Sequence, residues 1–438
     1  MNITERACYR NMMRYVESRL IPNMDAKKKR GEVFTPLSLI NGMLDNLPEE
    51  VWSDPNLKWI DPANGIGNFP ICVYYRLMEG LKSKIPKPQD RSRHIIENML
   101  YMVELDPTNV AVSRSIFCEK EDGVEINGNI SQQDFLEQPL PNEWPKVFDV
   151  IMGNPPYQSP PSNKTGVGGH SAGKRSLWDK FIMDSFKILK TNGYLCFINP
   201  PNWRRPGHKL WDILSHKQII FLKIYGKKDG QTYFKSSTRF DMYIIENVDK
   251  YKDTYLIDEL DNTFNLDLSQ WPFFLPSYDY DIISKIITTN DKSLAVIYNT
   301  FYHTSKNMKK TVKTKNAEYK YPVVHIINQG GLGFEYVNDN TKGHFGVPKV
   351  ILSFNENQYS YPEQNDYDGK YGMSQICFGL PISSRQEGDD ILKAVDTEVF
   401  KTIIKATKWG AFQTDYRMFK YFRPNWYKTI LELSPDFI

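Results

Sequence analysis

The sequence predicts an α/β fold, a mostly parallel sheet with helices on both faces, followed by a C-terminal α+β region. Three observations predict it. Short apolar runs alternate with amphipathic stretches from about residue 57 to residue 246. Each early run stops at a polar or glycine-rich residue, the position where parallel sheets bind ligands. After about residue 250 the alternation is lost.

The runs take the chain in order. Leu57–Ile60 ends at Asp61, Leu100–Val103 at Glu104, Phe148–Met152 at Gly153 and Asn154, and Tyr194–Ile198 at Asn199. Ile219–Tyr225 and Met242–Glu246 are two further strands, and Asp134 marks another strand end. Between them, Phe69–Leu81, Pro107–Cys118 and Leu177–Leu189 carry helical spacing, the last stopped by Gly193. Residues 1–26 form an N-terminal helical segment by the same criterion. Thr35 followed by Pro36 reads as a helix start, with Thr35 as cap. Residues 158–174 are rich in Gly, Ser and Pro and read as a loop. The border between the two halves is expected at 250/251. In the second half, Tyr321–Ile327 and Val347–Phe354 read as strands and Asp390–Thr407 as helix.

Composition bounds the possibilities. A chain of 438 residues holds two or three domains. Its 40% hydrophobic and 24% charged residues describe a folded globular protein. No apolar run reaches the roughly 20 residues of a membrane span, and Met1–Lys29 lacks the apolar core of a secretory signal. An intracellular setting is therefore expected. Five dispersed cysteines without a CxxC pair and seven scattered histidines predict neither a disulfide framework nor a metal site. A net charge of +3 leaves nucleic acid open as a partner, because a local basic face suffices.

Three segments carry chemistry. Asp61-Pro62-Ala63-Asn64-Gly65-Ile66-Gly67-Asn68-Phe69 joins a strand to a helix, and its glycines permit a tight turn and close backbone approach to a ligand. Glu104 ends the next strand, where a carboxylate can accept both hydroxyl hydrogens of a ribose. It lies about 40 residues on, beyond the roughly 20 of a nicotinamide-dinucleotide fold. Asn154-Pro155-Pro156-Tyr157 follows the strand Phe148–Met152. An amino group on a planar ring delocalises its lone pair into the ring. The Asn154 side-chain oxygen and the rigid Pro155 carbonyl can each accept one of its hydrogens and free that pair for attack. The Tyr157 ring can stack on the base.

On these motifs the chain resembles the S-adenosylmethionine-dependent amino-methyltransferases, specifically the adenine-N6 DNA methyltransferases of restriction–modification type. The resemblance covers roughly the first 250 residues and implies a Rossmann-like methyltransferase sheet. It implies that Asp61, Pro62, Ala63, Gly65, Gly67, Phe69, Glu104, Leu105, Asp134 and Phe135 bind S-adenosyl-L-methionine. Asn154, Pro155, Pro156 and Tyr157 are then catalytic. Residues 30–36, including Thr35 and Pro36, resemble the cofactor-carboxylate motif, and Leu177-Trp178-Asp179-Lys180-Phe181 resembles the motif lining the cofactor adenine pocket. The order of motifs is that of the gamma group. It implies a methyltransferase domain over 27–250 and a target recognition domain over 251–438. Asn64 and Ile66 depart from the Cys and Ser/Thr that the family often has.

Phe234, with Tyr233 as the alternative, is expected to stack on the flipped base together with Tyr157. Asn199-Pro200-Pro201-Asn202 is read as a loop lining the site. Arg204, Arg205, Lys306, Lys309, Lys310, Lys313 and Lys315 are candidates for phosphate contact. The implied reaction is direct methyl transfer to N6 of an adenine flipped out of double-stranded DNA, with no metal or covalent intermediate. The expected partner is double-stranded DNA; a cognate restriction endonuclease acting separately is left open. Three other readings stand beside it. One is transfer to an amino group of RNA or of a protein glutamine. Another is a non-catalytic DNA-binding subunit. The last is a fused nuclease around Asp368-Gly369-Lys370.

Overall fold

The computed structural model describes residues 35–121, 124–159, 176–290, 294–303, 310–354, 360–410 and 413–434. The expected helix within residues 1–26, motif residues 30–34, most of the loop 158–174, and Lys306 and Lys309 lie outside them. The chain forms two compact units, residues 1–201 with 213–267, and residues 202–212 with 268–438.

In the first unit the strands are β1 (Trp59–Asp61), β2 (Leu100–Glu104), a two-stranded hairpin of β3 (Glu119–Glu121) and β4 (Val124–Ile126), β5 (Asn129–Gln132), β6 (Phe148–Gly153), β7 (Leu189–Asn199), β8 (Lys217–Tyr225), β9 (Phe240–Asp249), β10 (Thr254–Ile257) and β11 (Thr263–Leu266). All but the hairpin form one sheet among the described residues, in the order β11-β10-β8-β9-β7-β6-β1-β2-β5. From β7 to β5 neighbours run parallel. Their residues read as continuous apolar runs because both faces are covered; Trp59, Ile60, Leu100, Met102, Val150, Ile151 and Met152 are all buried. The helices of this unit used below are α1 (Leu37–Leu44), α2 (Asn68–Gly80), α3 (Pro107–Phe117), α4 (Trp178–Ile188) and α5 (Lys227–Phe234).

Three local readings are corrected. β9 runs antiparallel between β7 and β8, because an apolar run specifies a strand but not its direction. Gly193 does not stop a helix. It lies inside β7, where a Cβ would come 2.7 Å from the Asp149 carbonyl oxygen of the neighbouring strand. Thr35 does not cap α1. Pro36 takes that position without a side-chain cap, and the Thr35 hydroxyl is used elsewhere.

The division between units falls later than 250/251. β10 pairs with β8, and β11 with β10, so residues 254–266 complete the first sheet. Residues 202–212 belong with the second unit. Arg204 donates to the Leu275 and Pro276 carbonyls at 2.9 and 3.0 Å, and Trp211 donates to the Trp271 carbonyl at 3.1 Å.

The second unit holds a four-stranded sheet of β12 (Ile297–Tyr298), β15 (Lys349–Ser353), β16 (Asn365–Asp366) and β18 (Cys377–Pro381), and a three-stranded sheet of β13 (Tyr321–Asn328), β14 (Gly331–Val337) and β17 (Gly372–Met373). Asp390–Thr407 is not one helix but the larger part of two, α6 (Arg385–Asp396) and α7 (Glu398–Ala406). Between them Thr397 turns extended, and its hydroxyl accepts from the Phe400 amide at 3.1 Å. No helix among the described residues is long and apolar enough to cross a membrane.

Candidate active site

The chain runs from β1 outward to β2 and β5, then returns to place β6 on the other side of β1. That reversal opens a crevice at the carboxyl ends of β1 and β6. Asp61 and Gly153 meet there. A Cβ on Gly153 would come 2.9 Å from an Asp61 carboxylate oxygen, so the glycine lets the two strand ends approach.

The glycine turn is fixed from several sides. Gly65 and Gly67 both take positive φ, 58° and 98°. The Asn64 amide nitrogen bonds to Val103 O at 2.9 Å. The Asn64 side chain donates to Ser113 Oγ of α3 at 2.7 Å and to the Gly65 carbonyl at 3.1 Å. Asn64 therefore braces the turn from beneath, and Ile66 is buried in the core. Those are the roles of the two residues that depart from the family the motifs resemble. A Cβ at Gly67 would stand 3.1 Å from the Phe117 ring in a left-handed backbone. Gly67→Ala is expected to cost about 1–2 kcal/mol of stability, read as a lower denaturation midpoint, and to weaken cofactor binding.

Glu104 is built into the same turn. One carboxylate oxygen accepts from the Gly65 amide at 2.7 Å and the other from the Asp106 amide at 2.8 Å. Beside it Leu105 is 64% exposed, an apolar side chain left uncovered at a strand end. Asp134 closes its own turn, its carboxylate accepting from the Leu136 amide at 2.9 Å. Phe135 stacks on Phe181 of α4, ring centroids 5.5 Å apart. The segment 177–181 is thus brought against residue 135, two regions more than 40 positions apart.

The Asn154 side chain donates through Nδ2 to Thr35 Oγ at 3.0 Å, and its Oδ1 is buried without a hydrogen-bond partner. Thr35 is held in turn by Asn68, which donates to its backbone carbonyl at 2.9 Å. Pro155 is buried. The Tyr157 hydroxyl is buried without a partner, and burial, then the neighbouring Asp241 charge, push its pKa up. Gln158 and Ser176 pair as an isolated antiparallel bridge. Asn199 is not a loop residue. It ends β7, fully buried, and donates to the Tyr243 hydroxyl at 2.6 Å.

Burial raises the Asp61 pKa well above the carboxylate range, with the Ala63 amide pulling it back and Glu104 adding to the rise. The folded protein therefore keeps this proton to higher pH than the unfolded chain. The stability Asp61 contributes is complete below its unfolded value of about 3.9 and is lost as pH rises through the folded value. Asp61→Asn, which cannot ionise, should gain stability over the parent as pH rises from 4 to 8. Urea midpoints measured across that range test this, and a gap that does not change with pH would contradict it.

These residues fit S-adenosylmethionine by their chemistry. The Glu104 carboxylate suits a ligand carrying a diol, the turn offers bare backbone, Leu105 and Phe135 offer apolar surface, and Asn154 Oδ1 is an orphaned acceptor.

Two expected contacts are corrected. Phe234 is 5% exposed and packs edge-on against Phe240, centroids 4.8 Å apart, so its faces are taken by the core. Arg204 is 0% exposed and its guanidinium is used by main-chain carbonyls. Arg205 is half-buried beside Arg417 and Asp415. Lys310 and Lys313 are exposed, and the Lys310 ammonium lies 3.5 Å from the Phe301 ring centroid. Sequence reasoning did not link Asn68, Thr35 and Asn154. The adjacency of Asn68 to Gly67 was the one available signal.

The family described as Eco57I restriction-modification methylase matches residues 87–231. An uncharacterized adenine-specific methylase of Mycoplasma pneumoniae is 27% identical over 239 residues, 39% of this chain and 55% of that protein. Modification methylase CviBIII of Paramecium bursaria Chlorella virus NC1A is 26% identical over 231 residues, 51% of each chain. The chain thus spans about half the length of these relatives. The restriction-modification enzyme MmeI, solved in complex with DNA, superposes with a TM-score of 0.51 at 10% identity, over 92% of this chain and 68% of its own. That likeness concerns the fold.

Proposed function

We propose that this chain, which carries an Eco57I-type restriction-modification methylase domain over residues 87–231, transfers a methyl group from S-adenosylmethionine to N6 of adenine in double-stranded DNA. The observation carrying the proposal is the Asn154 amide, its nitrogen tied to Thr35 and its oxygen buried and unpartnered at the end of β6.

The bound cofactor supplies an already electrophilic methyl group. The chain's own part is positioning and exclusion of water, which can contribute about 7–11 kcal/mol. Asn154 Oδ1 and the Pro155 carbonyl each accept one hydrogen of the amino group and turn its lone pair out of the ring. Tyr157 offers a face to the extruded base, whose unstacking costs a few kcal/mol. Glu104 holds the ribose hydroxyls. Two further assignments belong to this proposal. The second unit reads the target sequence, with Lys310 and Lys313 on phosphates. The protein works inside the cell, where a separate nuclease of matching specificity is its natural counterpart.

The test is tritiated-methyl transfer to unmethylated genomic DNA, with the product sequenced by a method that detects N6-methyladenine. Label at one short motif supports the proposal. Label only in RNA or protein would overturn the substrate, and cofactor binding without label anywhere would overturn the activity.

A further inference from the structure

The side-chain amide of an asparagine can sit in two orientations of nearly equal packing, related by a half-turn. Only one presents oxygen to the substrate amino group. The other presents Nδ2, a donor facing a donor. Something must choose between them.

We infer that Thr35 is a positioning residue that sets the catalytic amide, and that it does so in response to the cofactor. The hydroxyl of Thr35 has one hydrogen and two lone pairs. In the structure it accepts from Asn154 Nδ2 at 3.0 Å. In the reversed orientation it would have to donate its own hydrogen to Oδ1. The choice therefore depends on where the Thr35 hydrogen goes. Thr35 is 4% exposed, and among the described residues no acceptor for that hydrogen is seen. A ligand carboxylate at this position would take it as a charge-assisted bond. Thr35 Oγ could then act toward Asn154 only as an acceptor, and the flip would be blocked. Polarisation along the chain strengthens both bonds.

The backbone of Thr35 is equally constrained. Asn68, first residue of α2 and next to the glycine turn, donates to the Thr35 carbonyl at 2.9 Å and is itself buried. The cofactor turn, Thr35 and the catalytic amide are thus joined by two hydrogen bonds across residues 68, 35 and 154. An empty site leaves the amide free to reverse. An occupied one holds its oxygen toward the substrate. The order of events this implies is cofactor first, productive base second.

This inference rests on the reading of Asn154 as the catalytic amide, but it can be tested without a methylation substrate. S-Adenosylhomocysteine affinity is measured by calorimetry for the parent, Thr35→Val, Asn154→Ala and the double variant. Coupling through the hydroxyl predicts that Asn154→Ala weakens affinity threefold or more when Thr35 is present and has no effect when Val replaces it. Strictly additive effects would overturn the inference. Thr35→Ser keeps the hydroxyl and should restore the coupling, which separates this role from lost packing; a serine variant that behaves like valine would also overturn it. In the same series the Asn154 side-chain amide resonances should shift on ligand binding with Thr or Ser at position 35 and stay unmoved with Val. Coupling in the absence of any DNA methylation would leave the inference standing and remove the proposed substrate. Additivity with normal DNA methylation would do the reverse.

Discussion

Asn154→Ala is expected to lower methyl transfer by about 10²–10³-fold, the scale of losing one preorganised polar contact to the reacting group. The backbone of β6 and both prolines are unaffected, so the fold and the Pro155 carbonyl remain. What disappears is the acceptor that draws the amino nitrogen out of conjugation. Cofactor affinity should change by no more than about fivefold, because the glycine turn, Glu104 and Asp61 are untouched; that places the loss in a contact made mainly in the transition state. Single-turnover label transfer, beside calorimetric affinity for S-adenosylhomocysteine, makes the comparison. A variant within threefold of the parent rate would remove Asn154 from the mechanism.

Lys349→Met should be the most destabilising single change in the second unit, by about 3–5 kcal/mol. The Lys349 ammonium is fully buried and bonds to Asp366 at 2.7 Å and to the His344 and Val347 carbonyls at 3.1 Å each. Asp366 also accepts from the Lys370 and Tyr371 amides at 2.7 and 2.9 Å. One ion pair thus ties the chain around 344–347 and the chain around 366–371 to adjacent strands β15 and β16. Methionine fills similar space but strands a buried carboxylate and two carbonyls. Urea unfolding followed by tryptophan fluorescence should show a lower midpoint at unchanged slope. An unfolding free energy within about 0.5 kcal/mol of the parent would mean that water replaces the ammonium.

The same pair shows why the second half was harder to read. Asp366 and Lys349 are 17 positions apart and carry no periodic signal. Asp368 and Lys370, which vaguely resembled half of a nuclease core, make only an exposed ion pair at 3.4 Å. Arg204 and Phe234 fail in a similar way. Basic or aromatic residues in a polar neighbourhood read as contact residues, yet burial assigns one to main-chain carbonyls and the other to the core.

In the first half, local chemistry was enough to locate β1, β2, β6, β7, β8 and β9 and to mark the residues at their ends; β10 and β11 went unread. Continuous apolar runs must be buried, a turn of Gly65 and Gly67 takes positive φ, and a carboxylate or amide at the end of a parallel strand lies at the edge where such sheets bind ligands. Those constraints act over a few residues and are written in the chain itself. Strand direction, the antiparallel placement of β9, the brace of Asn64 on Ser113 and the path from Asn68 through Thr35 to Asn154 join positions up to 119 residues apart. No single segment carries them, because each depends on which hydrogen-bonding groups the folded sheet brings within 3 Å of one another.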